Sequence, residues 1–231
     1  MTLEIKTQHQ LKATNTNLPF YFFLSFSVPA LALLILFMQQ VTSGTEVFGD
    51  KAIENFVSGF TNSSTVFFFT FITNFVTTGS VITLLVISLV LIWWKSRDYA
   101  AMIVLAVGTY LSDEINQWLK ITIGRERPSI DVSVFAEGHS FPSGHAMVGI
   151  MFYGFLTYFV FSMLKNSKHK LILVITMSVI IFLIGLSRIV LNVHYPSDVI
   201  AGFAAGFIGL VIMILLHKGG RTIFHQKLKK G

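Results

Sequence analysis

Long runs without charge most limit what this chain can become. A helix needs about 20 mostly apolar residues to cross a bilayer core of roughly 30 Å, and six stretches of the 231-residue sequence approach or reach that length between charged boundaries. They are Leu18 to Met38, about Phe75 to Trp94, Tyr99 to Leu119, His145 to Leu164, Leu171 to Leu186 with an extension into Ser187 and Arg188, and Ser197 to Leu216. Pro29 falls near the middle of the first, as a kink that neighbouring helices would have to accommodate. The start of the second is ambiguous, because its uncharged stretch begins as early as Thr65. Before it, Ile53, Phe56, Val57 and Phe60 recur at i, i+3, i+4, i+7, which predicts a short helix at the interface or tucked into the bundle. The expected fold class is all-α. It is a polytopic membrane helical bundle of six transmembrane helices, with an amphipathic interfacial helix between the first and second, in one domain spanning 1–231.

Composition agrees with a chain that uses lipid as its solvent. Hydrophobic residues make up 53% and charged ones 12%, about half the charged share of a soluble domain, which argues against a soluble enzyme, a disordered chain or a nucleic-acid partner. The N-terminal apolar run starts late, lacks a clear small-residue cleavage site and is long enough to span, so it does not read as a cleaved signal peptide. With the N-terminus cytoplasmic, twelve of the seventeen Lys and Arg fall on the inner side, and only Lys51, Lys120, Arg125, Arg127 and Arg188 fall outside. The expected topology therefore has both termini cytoplasmic, with the basic tail 217–231 against anionic headgroups. Cysteine is absent, which excludes a disulfide framework, a thiolate metal site and cysteine-phosphatase chemistry.

The remaining polar residues gather in three clusters, all at outer ends of spans. The third span ends in Lys120-Ile-Thr-Ile-Gly-Arg125-Glu126-Arg127-Pro128; the fourth begins Ser140-Phe141-Pro142-Ser143-Gly144-His145; the fifth leaves through Ser187-Arg188 towards His194-Tyr195-Pro196-Ser197-Asp198. Lys120, Arg127 and Arg188 offer three cations, and guanidinium forks match phosphate oxygens bidentately. Ser143 stands where an N-cap belongs, so the free N–H groups of Gly144 and His145 would point at an anion there. Taken singly, each segment also reads as an interfacial anchor or a capped turn.

Two histidines refine the chemistry. Asp198 follows His194 by four residues, and a carboxylate accepting from one ring nitrogen leaves the other with a lone pair, as a nucleophile or base requires. His145, across the phosphate, could protonate a leaving oxygen. No metal is expected: the outer loops supply only scattered acids such as Asp50, Glu54, Asp131 and Glu137, without ligand-like spacing.

These clusters resemble the three-part signature of the type 2 phosphatidic acid phosphatase superfamily, which also contains vanadium haloperoxidases. K-x(6)-R-P is Lys120 to Pro128, P-S-G-H is Pro142 to His145, and S-R-x(5)-H-x(3)-D is Ser187 to Asp198, so the signature region spans 120–198. The resemblance implies that His194 attacks phosphorus to form a phosphohistidine, that Asp198 orients it, and that His145 is the general acid. It further implies that Lys120, Arg127, Arg188, Ser143 and the Gly144 amide hold the nonbridging oxygens. Water then hydrolyses the intermediate, without metal or other cofactor.

Asp113, Arg125, Glu126 and His139 stay open. Asp113 lies seven residues before Lys120 on one helix face and could anchor it or line a headgroup pocket, or be a buried polar group without a catalytic role. The other three flank the signature and could touch the headgroup or be loop polarity. Gly202, Gly206 and Gly209 suggest tight packing within the bundle rather than a dimer face. The resulting expectation is a cell-membrane lipid phosphatase, multi-pass, with an extracytoplasmic site and a membrane lipid as substrate. Undecaprenyl pyrophosphate, phosphatidylglycerophosphate, phosphatidic acid and diacylglycerol pyrophosphate all remain open, as does oligomeric state. A lipid phosphotransferase with the same intermediate, a noncatalytic lipid-binding membrane protein and a haloperoxidase are the other readings. Haloperoxidase relatives are soluble, which sets that last one furthest from a six-span chain.

Overall fold

The computed structural model describes residues 18–128 and 138–228, with side chains described over 24–128 and 138–221. Asp131 and Glu137, Lys6 and Lys12, Lys229 and Lys230, and the Lys227 side chain lie outside the described residues. Among those described, all regular structure is helical. The helices are α1 (Leu18–Thr42), α2 (Asp50–Ser58), α3 (Ser63–Thr73), a 3-10 turn (Asn74–Val76), α4 (Thr78–Ser96), α5 (Tyr99–Ile123), α6 (Gly144–Met163), α7 (Ser167–Val190) and α8 (Pro196–Leu228).

Five of them, α1, α4, α6, α7 and α8, are long and apolar enough to cross a membrane. The other expected span, α5, is a continuous 25-residue helix, but Asp113, Glu114, Asn116, Gln117 and Lys120 lower the apolar character of its second half. α1 runs through Pro29 without a break in its helical assignment. The long uncharged stretch after Thr61 is divided by local chemistry. Asn62 caps α3, its side chain accepting from the Ser64 and Thr65 amides while the Thr65 hydroxyl accepts from the Asn62 amide. The chain then leaves helical geometry at Thr77 (ψ 152°), so α4 starts at Thr78 rather than Phe75. α2 forms over most of the apolar spacing, ending before Phe60, and packs on α7 and α8 with Phe56 exposed.

The core is built around α6, which is enclosed by α5, α7 and α8 and buries Phe152 and Phe155 completely. Small residues permit the closest approach. A Cβ on Gly202 of α8 would stand 2.5 Å from the Ser143 carbonyl oxygen, and one on Gly206 would stand 2.6 Å from that of Met147. Close packing of α8 on α6 thus explains the glycine spacing on α8. Where these helices end, the chain returns through 124–143 and 191–195, which brings the C-termini of α5 and α7 beside the N-termini of α6 and α8.

Candidate active site

The turn between α7 and α8 is tied down by backbone. The Val193 and His194 amides both donate to the Arg188 carbonyl, at 3.1 and 3.2 Å, so Arg188 and His194 are held as one unit although five residues separate them. Both are buried, at 3% and 2% exposure. The Ser143 amide donates to the Asp198 carbonyl at 2.9 Å, which joins the start of α6 to the start of α8. Asn116 of α5 completes the frame by donating to the Pro142 carbonyl at 3.1 Å. Its side-chain oxygen fills the space a Cβ on Gly144 would need, only 2.8 Å away, so glycine is required there by close approach.

His194 occupies the centre. Its Nδ1 is 3.5 Å from Asp198 Oδ2 and 3.5 Å from the Ser140 hydroxyl, which itself donates to Asp198 Oδ2. Its Nε2 faces Arg127 Nη1 at 3.3 Å. A guanidinium can only donate, so the lone pair is on Nε2 and the ring proton is on Nδ1, towards the carboxylate. Burial holds His194 far below the ordinary histidine value, to about 4, with Arg188 and Arg127 acting in the same direction against the pull of Asp198. The ring is therefore neutral at physiological pH.

Around it stand the cations. Arg127 is braced by the carbonyls of Gly138 (2.9 Å), Val193 (2.7 Å) and His139 (3.3 Å). Arg188 donates from Nη1 to the Thr73 hydroxyl at 2.6 Å, while its buried Nε has no partner among the described residues. The Ser143 hydroxyl, fully buried at the N-terminus of α6, also has none among them. Lys120 lies within electrostatic range of Arg127, Arg188, Asp113 and Asp198, and His145 within range of His194, Arg188, Lys120 and Arg127. All three signature segments thus meet at one end of the bundle. Two unpaired buried donors beside clustered cations form a site that can take an anion with several oxygens.

The open residues separate cleanly. Arg125 turns inward to Asp198 and Asp50. Asp113, Glu126 and His139 are exposed, and no ion pair joins Asp113 to Lys120 among the described residues. Asp50, Ser140, Thr73 and Asn116 were not identified as site residues by sequence. Ser140 was within reach of such reasoning, because it adjoins the P-S-G-H segment; Asp50 and Thr73 come from distant helices and carry no local signal. Among the described residues no three His, Asp or Glu side chains converge as a metal site.

A family model described as the PAP2 superfamily matches residues 98–221. Phosphatidylglycerophosphatase B of Bacillus subtilis (strain 168) is 38% identical over 117 residues, covering 50% of this chain and 54% of that protein. Lipid A 1-phosphatase of Rhizobium etli is 35% identical over 123 residues, covering 46% and 48% respectively. The chain spans about half the length of the curated relatives it matches. Among solved structures, that of the first transmembrane PAP2 type phosphatidylglycerolphosphate phosphatase from Bacillus subtilis superposes with a TM-score of 0.70 at 27% identity, covering 82% of this chain and 95% of that one. The Aquifex aeolicus LpxE structure shares the fold at a TM-score of 0.56 and 22% identity, over 75% of this chain and 97% of that one.

Proposed function

Because the chain belongs to the PAP2 superfamily, we propose that it is an integral-membrane lipid phosphatase that hydrolyses a phosphomonoester or pyrophosphate of a lipid through a phosphohistidine, without metal. The observation that carries this reading is the pair of buried donors without partners, Ser143 Oγ and Arg188 Nε, in the same cluster as the Nε2 lone pair of His194. A phosphate supplies the acceptors that both lack and gives the lone pair an electrophile.

In the proposed reaction Nε2 of His194 attacks phosphorus as the bond to the leaving oxygen breaks, and His145 gives that oxygen a proton. The phosphorylated ring becomes cationic with its proton kept on Nδ1, where Asp198 and Ser140 stabilise it. Lys120, Arg127, Arg188, Ser143 and the Gly144 amide hold the three nonbridging oxygens as charge redistributes. Water, deprotonated by His145, then attacks phosphorus and releases inorganic phosphate and free His194. We place α5 across the bilayer as a sixth span, both termini in the cytoplasm, α2 at the interface and the site on the outer face, where a lipid can keep its chains in the membrane.

The relatives named phosphatidylglycerophosphatase B and lipid A 1-phosphatase support a lipid substrate. Phosphatidylglycerophosphate, undecaprenyl pyrophosphate, phosphatidic acid and diacylglycerol pyrophosphate are the candidates. The test is phosphate release by detergent-purified protein from these four lipids and a soluble ester, in excess chelator, with His194→Ala alongside. Release that persists in chelator and vanishes in the variant is expected. Release from no lipid by folded protein, or release dependent on added magnesium, overturns the reading.

A further inference from the structure

α2 is outside the signature and outside the family match, yet its first residue holds two residues, Arg125 and Ser197, that surround the Asp198 carboxylate. Asp50 is 3% exposed. Its Oδ1 accepts from the Ser197 amide at 2.8 Å, and its Oδ2 accepts from the Ser197 hydroxyl and from Arg125 Nη2, both at 2.7 Å. The same guanidinium donates through Nη1 to Asp198 Oδ1 at 2.5 Å and to Ser197 Oγ at 2.8 Å, and it lies 3.9 Å over the Tyr195 ring. Arg125 is therefore occupied by two carboxylates and an aromatic face, which leaves it unsuited to holding a headgroup. Asp198, in turn, is gripped on both oxygens: Arg125 holds Oδ1, while Ser140 and the Tyr195 amide hold Oδ2, the oxygen that faces His194.

We infer that Asp50 and Arg125 form a positioning relay, in which α2 sets the orientation and effective charge of Asp198 and, through it, the alignment of His194. The inference rests on the phosphatase reading for its kinetic consequence. Neither residue touches the phosphate. Arg125 fixes the plane of the Asp198 carboxylate, and Asp50 keeps Arg125 from drawing off all of that carboxylate's charge. The alternating charges, Asp50, Arg125, Asp198 and the cationic phosphorylated ring, give each group an opposite neighbour in a buried setting where unpaired charge is costly.

The relay predicts opposite effects for its two members. His194 is also faced by Arg188 from α7, Arg127 and Ser140 from the residues between α5 and α6, and His145 from α6, beside which Lys120 of α5 lies, and Arg125 is faced by Glu54 of α2; these stay constant across the variants. Asp50→Asn removes a negative charge and lowers the pH at which His194 protonates. Arg125→Gln removes a positive one and raises it. The shift is expected to be larger for Arg125, which touches Asp198 directly, than for Asp50, which reaches Asp198 only through Arg125 and Ser197. Misalignment lowers kcat by about a hundredfold for Arg125→Gln, with KM nearly unchanged. Arg125→Lys keeps the charge but cannot bridge both carboxylates, so it restores the midpoint and only part of kcat.

Two readouts on the full-length protein in detergent decide the matter, after a melt confirms each variant is folded. One is the pH profile of phosphate release from dioctanoyl phosphatidic acid. The other is the His194 midpoint by NMR of histidine-labelled protein, assigned by difference from His194→Gln. Opposite shifts, with Lys51→Gln on the exposed face of α2 as an unmoved control, support the relay. Equal midpoints, shifts in one common direction, or a raised KM with intact kcat in Arg125→Gln overturn it. Absence of release by the wild type would instead count against the phosphatase reading, while the NMR arm still decides the relay.

Discussion

The bundle carries a buried histidine paired with an aspartate at each end, and the two pairs are used differently. At one end His194 Nδ1 faces Asp198 at 3.5 Å, while Nε2 meets Arg127 at the edge of a cluster with donors to spare. At the other, His217 Nε2 meets Asp98 at 3.1 Å and its Nδ1 meets the Tyr158 hydroxyl at 3.1 Å. The His217 ring is enclosed by Phe155, Tyr158 and Phe159, with centroids 5.6–6.2 Å away. Asp98 also caps α5 by accepting from the Ala101 amide at 3.0 Å. Both nitrogens of His217 are spent on protein, so this pair joins α5, α6 and α8. Both pairs have the carboxylate; what separates them is the second nitrogen, which meets the Tyr158 hydroxyl in His217 and the Arg127 guanidinium in His194.

The strongest way to break this comparison is to neutralise the two aspartates in parallel. Asp198→Asn should cost on the order of 10³-fold in kcat, because the amide can present a donor to Nδ1 and favour the wrong tautomer; Asp98→Asn should leave kcat of the folded protein in place. Equal losses in steady-state assays would erase the distinction. The pH dependence sharpens it next. An unfolded histidine titrates near 6.5 and His194 near 4, so between those values the unfolded chain binds a proton that the folded site refuses. Stability contributed by neutral His194 is present above 6.5 and falls as pH drops towards 4, then changes no further from this source. Thermal melts should show that decline, and His194→Gln should flatten it. The smallest effect is expected from His217→Phe, which keeps the ring packing but loses two hydrogen bonds and leaves Asp98 without one partner, costing about 1–3 kcal/mol in denaturant titrations with kcat unchanged.

The parts of the fold legible in sequence are those written in local pattern. The amphipathic spacing of Ile53, Phe56, Val57 and Phe60 located α2, and charge-free runs located α1, α6, α7 and α8. The boundary between α3 and α4 was ambiguous because hydropathy is blind to it; the Asn62 cap and the extended Thr77 decide it through hydrogen bonding. Within the candidate site, His194, Asp198, His145, Arg127 and Arg188 are legible because they stand at set distances along short segments that the fold brings together. Arg125 was singled out without a role, since its partner Asp50 lies 75 residues away and only the tertiary fold makes them neighbours. Asp113, a carboxylate inside an apolar helix, is exposed on α5 and lies within electrostatic range of Lys120.

The close contact of α8 with α6 sets how much sequence drift the site can absorb. Gly202 sits in a stretch that reads as anonymous membrane filler, yet the nearest atom to any side chain added there is the carbonyl of Ser143. A single methyl group would push on the turn that presents the Ser143 hydroxyl. The candidate site therefore extends one layer into the apolar body of the bundle, and a substitution that hydropathy scores as silent would be felt at Ser143.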